Sequence, residues 1–299
     1  MKKSIFIFLI SLIFISCSNN GNKSDAYGNF ETKETIISSE ARGKLITLNV
    51  EEGKKLSKGE VVGFIDTTQL YLKKEQLYIQ KKAVATKIQN IEAQVNVVKE
   101  QLNTLLIEKK RLEKLLKDGA ATTQKMDEVN GKENLLNSQI KSIEIQKTSI
   151  YYELDVISQQ IKQVQDQIDK CFIINPINGT VLEKYIEPYE IAVIGKPLYK
   201  IADLDKMELR VYVSGAQLSE VILGNKVEVK IDKNEKEFIT LSGKIIWISN
   251  QAEFTPKIIQ TKEERVNMVY AVKVLVNNDG IIKIGMPGEV NFTNETLIK

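Results

Sequence analysis

Side chains able to do chemistry are scarce in this chain, and the gaps are as informative as the residues present. Histidine is absent from all 299 residues, which removes the commonest general base and the commonest zinc ligand. Two cysteines occur, Cys17 and Cys171. Cys17 stands directly behind a basic start (Lys2, Lys3), an apolar run from Ile5 to Ile15, and Ser16. That is the layout of a secretory signal, and it is too short for a membrane span. Any modification of Cys17 at the cleavage point leaves Cys171 as a single thiol, from which neither a disulfide framework nor a thiolate metal site can be built. Lysine plus arginine total 42 against 39 acidic residues. Loss of Lys2 and Lys3 with the signal brings 42 down to 40 basic residues. A chain so balanced lacks the basic excess that binding a polyanion needs, so no nucleic-acid partner is expected.

Phe14-Ile15-Ser16-Cys17, followed by Ser18-Asn19-Asn20-Gly21, resembles the bacterial lipoprotein signal, with Phe14 where that motif prefers leucine. The resemblance implies a mature chain that begins at a lipid-modified Cys17. Each buried methylene of its acyl chains would contribute about 0.8 kcal/mol to anchoring. The protein would then sit on a membrane without crossing it.

The elements that occupy most of the chain are set by a seven-residue apolar repeat. One series runs Leu70, Leu77, Val84, Ile91, Val98, Leu105, Leu112, and its counterpart runs Val129, Leu136, Ile143, Ile150, Ile157, Val164, Cys171. A second series, offset by three or four, includes Ile88, Val95, Leu102 and Leu116, then Met126, Ile140, Leu154, Ile161 and Ile168. Alternating spacings of three and four form the seam of a coiled coil, and sustained sevens imply a left-handed supercoil. Pairing Leu77 with Val164, Ile91 with Ile150 and Leu112 with Val129 predicts a hairpin that reverses near Ala120 and Ala121, with Lys109 opposite Glu133. Lysines alternating with glutamates on the remaining positions read as a solvated exterior. Arms of about 50 residues at ~1.5 Å each reach roughly 75 Å, longer than any core this chain could bury. As a member of the heptad series, Cys171 is expected to be a small buried apolar residue. Asp118-Gly119 would close the first arm, and Thr122 or Thr123 would cap the second.

Short β-branched runs punctuated by glycine flank the hairpin. Before it come Gly43-Lys44-Leu45-Ile46, Val50-Glu51-Glu52-Gly53 and Gly59; after it come Pro176-Ile177-Asn178-Gly179-Thr180-Val181 and Gly195. The spacing from Gly43 to Gly59 is 16, as is that from Gly179 to Gly195. Two strand-turn units too small to bury a core singly are expected to pack on each other, with the hairpin inserted between them. These residues resemble the split biotinyl-lipoyl domain of the periplasmic adaptor proteins, also called membrane fusion proteins or the HlyD-like family. Tyr189 departs from that pattern, since it stands where the second unit would repeat Gly53. The resemblance covers about Thr35 to Phe292. From 204 onward, alternating strands with Ser214 to Leu223 as a short helix ending at Gly224 resemble the family's small β-barrel. Phe254-Thr255-Pro256 to Arg265 and Gly285-Met286-Pro287-Gly288 resemble the branch associated with ATP-driven exporters.

The expected fold class is therefore α+β: a long antiparallel coiled-coil hairpin inserted in a split biotinyl-lipoyl-like β domain, followed by a small antiparallel β-barrel. Its division is 1–16 signal peptide, 17–33 lipidated linker, 34–66 first lipoyl-like half, 67–170 hairpin, 171–204 second half and 205–299 barrel. About seven residues follow Phe292, so the resemblance leaves contact with an inner-membrane transporter to the barrel or to the N-terminal segment. It also implies a docking motif at the hairpin tip, Arg111, Leu115 and Thr122, for a TolC-like outer-membrane channel. Arg111 would donate to carbonyls or carboxylates, Leu115 would fill an apolar notch, and Thr122 would complete the hydrogen bonds. The implied partners are an inner-membrane transporter, ABC-type favoured, and further copies of the chain in a ring, a hexamer in the family. The implied location is the periplasm of a two-membrane bacterium, lipid-anchored with the inner membrane favoured. No enzymatic activity and no cofactor are expected. A lipoyl or biotinyl carrier would need a modified lysine in a Met-Lys-Met or Asp-Lys-Ala setting at the turn the coiled coil occupies, and neither tripeptide occurs. A structural lipoprotein that spaces membrane from cell wall would account for anchor and arms but gives the barrel no purpose.

Overall fold

A computed structural model describes residues 24–234, 237–254 and 268–292. Cys17, the signal segment and most of the stretch from Phe254 to Arg265 lie outside the described residues.

The heptad series folds as two helices, Thr68–Lys117 and Thr123–Asp169, of 50 and 47 residues. Their apolar seam is buried at Val84, Ile91, Val95, Val98 and Leu105 on the outbound arm and at Val129, Ile143, Ile157, Ile161 and Val164 on the return. Ion pairs between the arms record the register. Lys109 Nζ donates to Glu133 Oε2 at 2.6 Å, Lys87 to Glu153 at 3.1 Å and Lys147 to Glu92 at 2.6 Å. Lys109 and Glu133 thus meet as the repeat predicts. Cys171 is the exception in its series. The return helix ends at Asp169, and Cys171 is buried among the β-domain residues Ile65, Val62 and Ile173 instead of in the coiled coil. The β domain, packed at the hairpin base, supplies its apolar surroundings.

The hairpin leaves and re-enters a domain of two four-stranded sheets. One has the order β2 (Glu34–Ser38), β9 (Pro197–Ala202), β7 (Gly179–Lys184), β4 (Lys55–Leu56). The other has β6 (Phe172–Ile174), β5 (Val61–Ile65), β3 (Gly43–Leu48), β8 (Ile191–Ala192). Each sheet takes strands from both sides of the insertion, so neither half can complete a sheet alone. The halves are related by a pseudo-twofold that extends to individual hydrogen bonds. Gly53 N donates to Val181 O at 2.8 Å, and Tyr189 N donates to Leu45 O at 2.7 Å. Gly59 N donates to Asn175 O at 2.7 Å, and Gly195 N to Ser39 O at 2.8 Å. The departure at Tyr189 leaves this turn intact. Tyr189 holds φ +75°, close to the +82° of Gly53, in a region that side chains other than glycine rarely adopt.

β10 (Lys206–Ser214), β1 (Ala26–Glu31), β15 (Pro287–Asn291), β11 (Lys226–Asp232), β12 (Phe238–Ile248) and β14 (Met268–Asn277) pair in that order, and β10 pairs with β14 to close a six-stranded barrel. β13 (Glu253–Phe254) extends it beside β14. Its interior is packed with Phe30, Met207, Leu209, Val211, Val229, Ile245, Val274 and Val290. Two expectations need correction. Residues 26–31 are a barrel strand, not linker: Gly28 and Asn29 weaken its β signal, yet a Cβ at Gly28 would lie 1.7 Å from Arg210 O, so glycine is what lets β1 approach β10. The segment Ser214 to Leu223 forms only a 3₁₀ turn at Gln217–Glu220. Ser214 Oγ donates to Gln217 Oε1 at 2.8 Å, tying down the start of the segment, while Val221 is extended and buried in the barrel core.

Candidate docking tip

The far end of the hairpin is built by two caps. Ala120 N donates to Leu115 O at 2.8 Å and Gly119 N to Leu116 O at 3.2 Å. This is the Schellman arrangement, made possible by Gly119 at φ +69°. Asp118 N closes onto Lys114 O. The return helix starts at Thr122, whose backbone is extended (φ −100°, ψ 150°) and whose Oγ1 accepts from Lys125 N at 3.4 Å. Of the two candidate threonines, Thr122 is the cap. Its hydroxyl proton remains able to donate outward.

These caps fix where the three implied docking residues stand. Arg111 and Leu115 are four apart on the outbound helix and so share a face, and Thr122 follows across the loop. Arg111 is exposed and, among the described residues, has neither a hydrogen bond nor an ion pair. Leu115 is 47% exposed although its neighbour in the seam, Leu116, is half-buried. Between Lys109 and Lys125 there are six basic and two acidic side chains. Lys109 is taken by Glu133 and Lys125 by Glu128, at 2.6 and 2.9 Å. The Glu128 hydrogen bond raises Lys125 above the ordinary lysine range. The tip therefore offers a free guanidinium, an uncovered leucine and a hydroxyl in a positive field. It can recognise carbonyls and carboxylates.

Elsewhere, burial pushes the Cys171 thiol up, and its Sγ lies 3.3 Å from Gln167 O. It is a packed residue and a poor nucleophile. Among the described residues no group of three His, Cys, Asp or Glu could hold a metal ion, and no helix is long and apolar enough to cross a membrane. An open groove of about 580 Å³ on the barrel wall, between Tyr27, Tyr212 and Lys230, was not read from the sequence. The signal available for it was Gly28 and Gly288, which face each other on β1 and β15.

No model of a known protein family matches the chain. Over 96% of its length, and 96% of the other's, it is 24% identical to the UPF0194 membrane protein YE2891 of Yersinia enterocolitica. Two solved structures share its architecture. The membrane fusion protein Spr0693 of Streptococcus pneumoniae R6 covers 90% of this chain, with 98% of its own chain covered, at 14% identity and a TM-score of 0.55. MacA of Actinobacillus actinomycetemcomitans covers 91%, with 79% of its own chain covered, at 21% identity and the same TM-score of 0.55. The chain has the membrane fusion protein fold.

Proposed function

We propose that this protein is the periplasmic adaptor subunit of a tripartite efflux or secretion system, bridging an inner-membrane transporter of ABC type to a TolC-like outer-membrane channel. It performs no chemistry of its own. Cys17 carries the lipid that holds it to the inner membrane, and copies of the chain assemble into a ring, a hexamer by resemblance, whose hairpins together enclose a path that a single two-helix arm cannot. The observation that carries this reading is the tip: Arg111 without a partner among the described residues and Leu115 uncovered, roughly 65–70 Å from the β domain at ~1.5 Å per residue.

A photo-reactive residue at position 115, activated in cells, tests the reading. It should capture an outer-membrane channel, identified by mass spectrometry. Recovery of peptidoglycan-linked material alone would transfer support to a spacer that sets the distance between membrane and wall. Arg111→Glu should abolish export at unchanged expression and helix content; normal export in that variant would remove the tip from the docking role.

A further inference from the structure

Gly131 lies in the interior of the return helix, where glycine costs about 1 kcal/mol relative to alanine. Nothing in the chain requires it: a Cβ built there meets no atom within 4 Å, and its backbone is not in the left-handed region. On the outer edge of the other helix, Ile107 is 52% exposed at nearly the same level of the hairpin, since the Lys109–Glu133 pair brings 107 level with the stretch between Gly131 and Ser138. Lower on the arm the sizes are reversed. The return edge carries large exposed residues, Ile145 (62%) and Tyr152 (68%). By the Lys87–Glu153 register they are level with the small exposed Ala93 and Thr86 of the outbound edge.

Both sets occupy the outer edges, pointing away from the seam. Residues 86, 93, 100 and 107 follow the seam positions 84, 91, 98 and 105 by two, and 131, 138, 145 and 152 follow 129, 136, 143 and 150 by two. Two residues advance about 200° around a helix, so each set faces outward, one on either side of the hairpin. Within one chain they cannot meet. Charge follows the same levels: Glu100 of the outbound edge and Lys141, beside the return edge, are exposed, and neither forms an ion pair among the described residues.

We propose that the outbound edge of one copy packs against the return edge of a second copy at the same level, with Ile107 seated over Gly131 and Ser138, Tyr152 and Ile145 against Thr86 and Ala93, and Glu100 facing Lys141. The contact rests on the ring assembly of the adaptor reading and supplies its lateral surface. Rotation about an axis parallel to the hairpin keeps every residue at its own level, and a ring needs two different complementary surfaces on each subunit, not one self-complementary patch. Both conditions are met by the size and charge pattern. Near the base, Leu72 and Ile79 are level with Asp166 and Gln159, so the matched contact runs from mid-arm to tip.

The test uses the full chain in cells, with Ile107→Cys and Gly131→Cys separately and combined, treated with a short bis-maleimide. The two positions lie on opposite outer edges of one hairpin, about 20 Å apart for helices of ~10 Å diameter packed ~9 Å apart, so a bond within one copy is out of reach. The double variant should give a ladder of dimer and larger species, and each single variant should stay at the untreated wild-type pattern, which also accounts for Cys17 and Cys171. Self-crosslinking of the single Ile107→Cys variant, or no ladder from the double variant, overturns the contact. Gly131→Trp, exposed in the single chain, should keep or raise the melting temperature of the hairpin yet reduce crosslinking between Ala93→Cys and Tyr152→Cys at least several-fold; unchanged crosslinking there also overturns it. Capture of an outer-membrane channel from position 115 reads the adaptor assignment separately. Capture without a ladder rejects only this lateral surface, and a ladder without capture rejects only the adaptor reading.

Discussion

Tyr189 is the residue at which pseudo-symmetry and chemistry conflict most plainly. The turn requires a positive φ, its counterpart Gly53 meets that at no steric cost, and Tyr189 holds the same angle with a Cβ in place. An L-residue in this region is destabilised by roughly 1–2 kcal/mol. Partial compensation comes from Lys44 Nζ, 5.1 Å from the centre of the Tyr189 ring, an exposed cation–π contact contributing about 0.5–1 kcal/mol. The side chain itself is 70% exposed, so little burial is at stake. Tyr189→Gly should therefore stabilise the β domain by about 1 kcal/mol, read as a higher urea midpoint at unchanged slope. A fall in the midpoint would mean that the ring makes stabilising contacts beyond Lys44. The place of this turn was legible from the matched glycine spacing. Its conformation was not, because propensity assigns no left-handed tyrosine and only the bonds from Gly53 to Val181 and Tyr189 to Leu45 make the equivalence visible.

Among the elements, the hairpin was the most legible, since a repeat sustained along both arms fixes period, seam and register at once. The inter-arm pair Lys109–Glu133 followed from that register and is found at 2.6 Å with both side chains about three-quarters covered. Such a pair contributes more than a fully solvated one, on the order of 1 kcal/mol, because screening by water is reduced. Glu133→Lys should lower the melting temperature of the hairpin by placing two ammonium groups together, and adding Lys109→Glu should restore most of the loss. Failure of the double reversal to rescue would show that the register is set by the apolar seam alone. Short elements were less legible for a physical reason. β1 carries Gly28 and Asn29 where a strand reader looks for branched residues, and its partners β10 and β15 lie far along the chain. The 3₁₀ turn at Gln217–Glu220 is one turn long, so it has no period to read. At the tip, the caps were legible from Asp118-Gly119 and the threonines. That Thr122 and not Thr123 accepts from Lys125 N depends on backbone angles that composition does not determine.

At the scale of the whole molecule, the insertion poses a question of independence. Four-strand sheets that each draw from both sides of a hairpin as long as this one require the chain to return accurately before any β core can close. The junction is tight: Ile65 N donates to Cys171 O at 2.9 Å, and Phe64 pairs with Phe172 across β5 and β6. The two points where the hairpin departs and re-enters are thus already neighbours inside the domain. A short flexible connection can replace the arms at small entropic cost, because loop closure grows only slowly with length. The core at that site is made almost entirely by the β domain, with Leu45, Ile65, Leu198, Tyr199 and Ile201 fully buried there, while the hairpin contributes little beyond the half-buried Leu70. Replacing Thr68–Asp169 by a short Gly-Ser linker should therefore leave the β domain and barrel folded, with loss of most helical circular dichroism and retention of a cooperative unfolding transition. The shortened protein should stay membrane-bound if Cys17 is the anchor, and should lose any contact with an outer-membrane channel if the tip has the proposed docking role. Loss of cooperative unfolding would mean that the seam, by holding its own ends together, is what brings the two halves into register, and that the reaching arm is also the folding scaffold of the domain it leaves.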